Sequence, residues 1–87
     1  MYFVYVLYSK KLNKRYIGQT QNLTARVKDH NSGKSQFTST GIPWELIYFE
    51  EHPTRSEAMK RERFLKTGQG RKFLDEIIKD RGFSAEG

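Results

Sequence analysis

Tyr2-Phe3-Val4-Tyr5-Val6-Leu7-Tyr8, followed after a cationic stretch by Tyr16-Ile17-Gly18-Gln19-Thr20, decides how this sequence folds. The first run is dense in β-branched and aromatic residues and apolar on both faces, which suits a strand in the middle of a sheet. Ser9 to Arg15 is polar and cationic and reads as a hairpin connection, so Tyr16 to Thr20 is the returning strand. A glycine inside a strand marks a bulge or a close backbone approach, which sets Gly18 apart.

Asn22 is a good N-cap for a helix from Leu23 to about Asn31, closed by Gly33. Gly33 to Ile42 is polar, rich in Ser and Thr, and predicts a mobile loop. After Pro43, Trp44 to Glu50 supplies a third strand. Thr54 with Glu57 three residues later forms a capping box, so a second helix is expected to run to about Thr67, ended by Gly68 and Gly70. A third helix, Arg71 to about Asp80, carries Phe73, Leu74, Ile77 and Ile78 as an amphipathic stripe. The predicted order is β-β-α-β-α-α, an α/β (α+β) arrangement in one domain over residues 1–82, with 83–87 as a flexible tail.

At 87 residues and 10.3 kDa there is room for one compact domain, burying about 60–65% of its unfolded-chain surface. With 30% charged, 36% hydrophobic and 14% aromatic residues the composition is globular, not disordered. The absence of cysteine excludes a disulfide scaffold, a thiolate metal site and a cysteine nucleophile. It makes the reducing cytoplasm the natural compartment. The longest apolar run is too short to span a bilayer, and no basic segment precedes it as a signal peptide requires, so neither membrane nor export is expected.

Sixteen Lys and Arg against ten Asp and Glu give +6, which favours a polyanionic partner. The charge is unevenly spread: residues 1–34 carry seven basic and one acidic side chain, and 55–72 seven and two, while 35–54 and 73–87 are net acidic. A fold that brings the two basic segments together makes a cationic face that tracks phosphates, with Lys14, Arg15, Lys34 and Lys66 as its expected nucleic-acid contacts. The other reading is two solvated faces pointing different ways.

Several side chains break the apolar patterns. On the second helix, at 100° per residue from Ala58, Leu65 falls near about 340° and Glu62 near about 40°, inside the apolar arc. A carboxylate there needs a cation, a metal ion or an i, i+4 Lys66, to compensate its desolvation. Arg26 and His30 stand four apart on one helix face, either a phosphate-directed fork beside a titratable ring or surface decoration. Tyr5 and Tyr16 lie on neighbouring strands, where their hydroxyls converge at one end or simply pack. Together the set matches phosphodiester hydrolysis, which needs a group to activate water, cations on the transferring phosphoryl and a metal to polarise an oxygen. No P-loop, HExxH or cysteine set competes with it.

Phe3-Val4-Tyr5 and Tyr16-Ile17-Gly18, eleven positions apart from tyrosine to tyrosine, resemble the GIY and YIG motifs of the GIY-YIG nuclease family. The Arg26-bearing helix from Asn22 to Asn31, Pro43 to Tyr48, and Glu57 to Glu62 resemble its next segments in order, over about residues 2–75. The likeness is strongest to the small stand-alone GIY-YIG proteins, and more distant to the N-terminal nuclease domain found in the bacterial excision-repair excinuclease. The resemblance implies a three-stranded antiparallel sheet flanked by helices, with the active site on one sheet face. It implies Tyr5 and Tyr16 near the water and scissile phosphate, Arg26 on phosphoryl oxygens, and Glu62 on one divalent ion, Mg²⁺ or Mn²⁺. It also implies a proton-transfer or phosphate-holding role for His30. Two departures stand out: Phe3 replaces the Gly of GIY, a matter of packing, and no Asn follows the Glu helix between Thr67 and Lys72.

The expected function is metal-dependent hydrolysis of DNA, branched or flapped forms included, in repair or recombination. Sequence specificity is expected to be low, because no DNA-binding domain is appended. Tyr5 is the expected base and Tyr16 its orienting partner; a free Tyr has a pKa of about 10, so nearby cations must lower it. The alternatives are a non-catalytic nucleic-acid binding module and a subunit whose partner protein supplies targeting.

Overall fold

Val4, Val6 and Tyr8 alternate with Tyr5 and Leu7 along the first strand, and all five are buried. A strand covered on both faces belongs at the centre of its sheet. The computed structural model, which describes residues 1–80, has it there. β1 (Tyr2–Ser9) lies between β2 (Lys14–Thr20) and β3 (Trp44–His52), both antiparallel to it. The hairpin turn passes through Asn13 at φ 52°, a left-handed position that asparagine tolerates, and its side chain accepts the Tyr8 hydroxyl. Against β3 the register shifts between Val6 and Leu7, which pair with Tyr48 and Leu46. The extra residue, Ile47, turns with Tyr48 toward one core, as a β-bulge allows.

Helices cover both faces. On one side α1 (Leu23–Asn31) lays Leu23 and Val27 against Tyr5, Leu7 and Trp44. On the other, α3 (Arg55–Leu65) and α4 (Gly68–Asp80) bury Ala58, Leu65, Leu74 and Ile78 against Val4, Val6, Tyr8 and Ile47. Asn22 caps α1 by accepting the Ala25 amide at 3.1 Å, and Thr54 caps α3 by accepting the Glu57 amide at 3.2 Å. At the end of β3, Arg61 of α3 donates through Nε to both Glu50 carboxylate oxygens at 2.9 Å, with the Tyr48 hydroxyl and His52 on the same carboxylate. Burial pushes the Glu50 carboxyl up, but the hydrogen bonds from Arg61, Tyr48 and His52 outweigh it and hold it below 4.5.

The predicted order holds, with three differences. Gly33 to Ile42, expected as a loop, carries a one-turn helix, α2 (Gln36–Ser39). Its Thr38 is fully buried, and the Thr38 carbonyl accepts the Trp44 indole N–H at 2.6 Å. Four residues with no apolar periodicity give no helical signal; tertiary hydrogen bonds form this turn. Secondly, α4 begins at Gly68, not Arg71, because Gly70 is no terminator: a Cβ there would lie 2.2 Å from the Phe64 carbonyl oxygen. The glycine lets α4 start hard against the end of α3. Thirdly, the strands run longer: β2 begins at Lys14, inside the expected hairpin connection, and β3 continues two residues past Glu50 to His52. The expected tail over 83–87 lies outside the described residues.

Candidate active site

Gly18 stands directly opposite Tyr5 in the hairpin register. A Cβ at Gly18 would be 2.7 Å from the Tyr5 hydroxyl oxygen and 3.1 Å from Cε1 of Tyr16. The missing side chain is therefore what admits both phenols to one sheet face. Tyr16, two residues before Gly18, has its ring 6.3 Å from that of Tyr5, 4.7 Å from His30, 6.0 Å from Phe37 and 6.4 Å from Trp44.

One turn apart on α1, Arg26 and His30 both reach this cluster. The His30 ring is fully buried, with Nε2 3.0 Å from the Tyr5 hydroxyl and Nδ1 2.9 Å from Thr38 Oγ1. Arg26 adjoins Tyr5 and Tyr16, whose hydroxyls hold its guanidinium above its usual value. A neutral imidazole donates from one ring nitrogen and accepts at the other, so of the bonds to Tyr5 and Thr38 one is donated by His30 and the other accepted by it.

The electrostatics follow from this packing. Burial pushes the Tyr5 phenol above its usual 10.0; the Arg26 hydrogen bond opposes the rise, while Tyr16 and Glu62 add to it. Burial and then the Arg26 charge hold His30 below 6.5, against a smaller opposing pull from Asp29. At neutral pH the Tyr5 hydroxyl is thus protonated and paired with a neutral imidazole.

Glu62 closes the set. Its charge reaches Tyr5, and its side chain, 21% exposed, accepts Lys66 Nζ at 2.7 Å across one turn of α3. The ion pair with Lys66 is direct, whereas the effect on Tyr5 is electrostatic and the smallest of those acting on that phenol. Among the described residues no three His, Cys, Asp or Glu gather as a metal-ligand set. A cage for Zn²⁺ or Ca²⁺ does not fit, whereas Mg²⁺ on one carboxylate, with water and phosphate oxygens as its other ligands, does.

The remaining cations divide. Lys14 shares its strand face with Tyr16, two residues away, and is exposed. Lys34, its side chain 75% exposed, lies 3.6 Å from Asp29 and precedes α2. Arg15 points to the other sheet face, where Asp75 of α4 holds it at 2.5 Å. Phe3 is occupied in packing, its ring 6.2 Å from that of Phe49. Thr38, Phe37 and Trp44 are additions that the sequence reading missed; a threonine among many Ser and Thr carries no signal of its own.

This is the arrangement of a GIY-YIG catalytic domain, whose family model matches residues 1–73, and the chain belongs to that family of nucleases. Its membership implies nucleic-acid binding. Among individual proteins, the chain is similar to a UPF0213 protein of Staphylococcus haemolyticus, with 42% identity over 76% of this chain and 80% of that one. A UPF0213 protein of Staphylococcus aureus is 37% identical over 92% of this chain and 96% of its own length. The solution NMR structure of a UPF0213 protein from Bacillus halodurans matches with a TM-score of 0.54 and 30% identity, covering 88% of this chain and 85% of that one. No helix among the described residues is long and apolar enough to cross a membrane.

Proposed function

We propose that this chain is a divalent-metal-dependent endonuclease that hydrolyses DNA phosphodiester bonds with low sequence specificity, in repair or recombination in the cytoplasm. One observation carries the reading: Tyr5, His30 and Thr38 form a hydrogen-bonded chain, with Arg26 beside it on α1 and the Glu62 charge acting on Tyr5 from α3. Tyr5 takes a proton from the attacking water as it passes its own to His30 Nε2, which becomes imidazolium. The nascent hydroxide adds to phosphorus and the bond to the leaving oxygen breaks. Arg26 neutralises phosphoryl oxygens, and Tyr16 orients the water. Glu62 is the ligand for Mg²⁺ or Mn²⁺, which when bound polarises the phosphoryl group and offsets its growing charge.

Glu62→Gln and Arg26→Ala are each expected to lower cleavage of plasmid and flapped DNA about a hundredfold or more. Chelation of divalent ions is expected to abolish it. Wild-type rates from either variant overturn the mechanism. The Lys66–Glu62 ion pair favours a second reading, since it occupies the carboxylate: a module that binds nucleic acid without cutting it. Salt-sensitive binding with no metal-dependent cleavage establishes that reading instead.

A further inference from the structure

Phe37 is 80% exposed, the most exposed large apolar side chain among the described residues. It projects from α2, and its neighbour Thr38 is fully buried and bonded to His30. The base of the Phe37 side chain is therefore fixed relative to the Tyr5–His30 pair, while its ring stands in solvent. Among the described residues the ring paired with it is that of Tyr16, at 6.0 Å and tilted by 58°. Fold stability gives no reason for a phenyl group there, because so little of it is buried. Exposed cations stand on the adjoining segments: Lys34, three residues earlier and 3.6 Å from Asp29, and Lys14, two residues from Tyr16 on β2. An exposed aromatic ring among cations, adjoining a group of side chains suited to a phosphate, matches the pattern by which proteins hold unstacked nucleotides.

We propose that Phe37 is a stacking platform for an unpaired nucleobase of the strand whose phosphate lies at Tyr5 and Arg26. Inside a duplex both faces of each base are covered by its neighbours, so a fixed ring finds a free π-face only at a flap, loop, junction or single-stranded end. Every base has such a face, so the platform selects for unpairing and not for sequence. The inference deepens the nuclease reading and rests on it for the location of the phosphate, but its test needs no cleavage.

The test is fluorescence anisotropy without divalent ions, with the full chain, a labelled single-stranded DNA and a blunt duplex of the same sequence. Phe37→Ala is expected to weaken single-strand binding about tenfold, to leave duplex binding within about twofold, and to keep the wild-type melting temperature because so little of the ring is buried. Phe37→Trp is expected to restore the affinity, and its indole emission to be quenched by the single strand. Unchanged binding by Phe37→Ala, as a protein-docking residue would give, overturns the proposal, and so does an equal loss on both DNAs. If the wild-type chain never cuts but discriminates through Phe37, the platform stands and hydrolysis falls. If it cuts flapped and blunt DNA alike with and without Phe37, hydrolysis stands and the platform falls.

Discussion

Gly18 shows what one residue decides. The sequence marks it as a bulge or a close approach, and the structure shows the second: the close neighbour is the Tyr5 phenol from the opposing strand. Gly18→Ala is expected to push Tyr5 off His30, destabilise the fold by about 1–3 kcal/mol and depress cleavage; thermal unfolding and a plasmid nicking assay read the two effects. His30 supplies a pH dependence. Its folded pKa is lowered below that of the unfolded chain, so its contribution to stability is complete above about pH 6.5 and is lost as pH falls toward the lowered value. Unfolding midpoints are expected to drop over that interval, and His30→Gln to flatten the drop. The acid limb of cleavage is expected below pH 6.5 for the same reason, since Tyr5 needs a neutral acceptor. Arg26 and His30 were visible as a pair from their i, i+4 spacing alone. Thr38, which bonds the other ring nitrogen, was not, because its position comes from tertiary contacts.

Among the elements, the strands and long helices were legible because their apolar periods and caps are local. The boundary between α3 and α4 was not. Gly68 and Gly70 look like terminators in sequence, yet Gly70 is buried inside α4 against the backbone of Phe64 and Leu65. A methyl group there meets backbone atoms, which cannot rotate aside as a side chain can. Gly70→Ala is therefore expected to cost roughly 2–3 kcal/mol, more than the helix propensity gained from alanine, and urea unfolding measures it. Gly68 has nothing near its Cβ position and serves as the contrasting control. The one-turn α2 belongs to the same class of misses, an element made by its anchors.

Over the whole molecule, the sequence showed two basic segments but not how they divide between two layers on opposite sides of one sheet. Arg15 and Lys14 are adjacent in sequence, and strand alternation sends them to opposite faces, Arg15 to Asp75. This distinction is measurable as salt dependence. Each phosphate neutralised contributes about 0.7–0.9 to the slope of log affinity against log salt. Lys34→Ala is expected to reduce the slope by about that amount, and Arg15→Ala to leave it nearly unchanged. The single sheet face shared by Tyr5, Tyr16, Arg26 and His30 was legible through the family resemblance; the place of Glu62 on the opposite helical layer, from which only its charge acts on Tyr5, required the fold. The His30 ring, meanwhile, is gripped at both nitrogens. Turning it over by a half-rotation would set C–H groups against Tyr5 and Thr38 and break two buried hydrogen bonds, so its orientation is settled before any DNA arrives, and no rotational freedom has to be surrendered at that step.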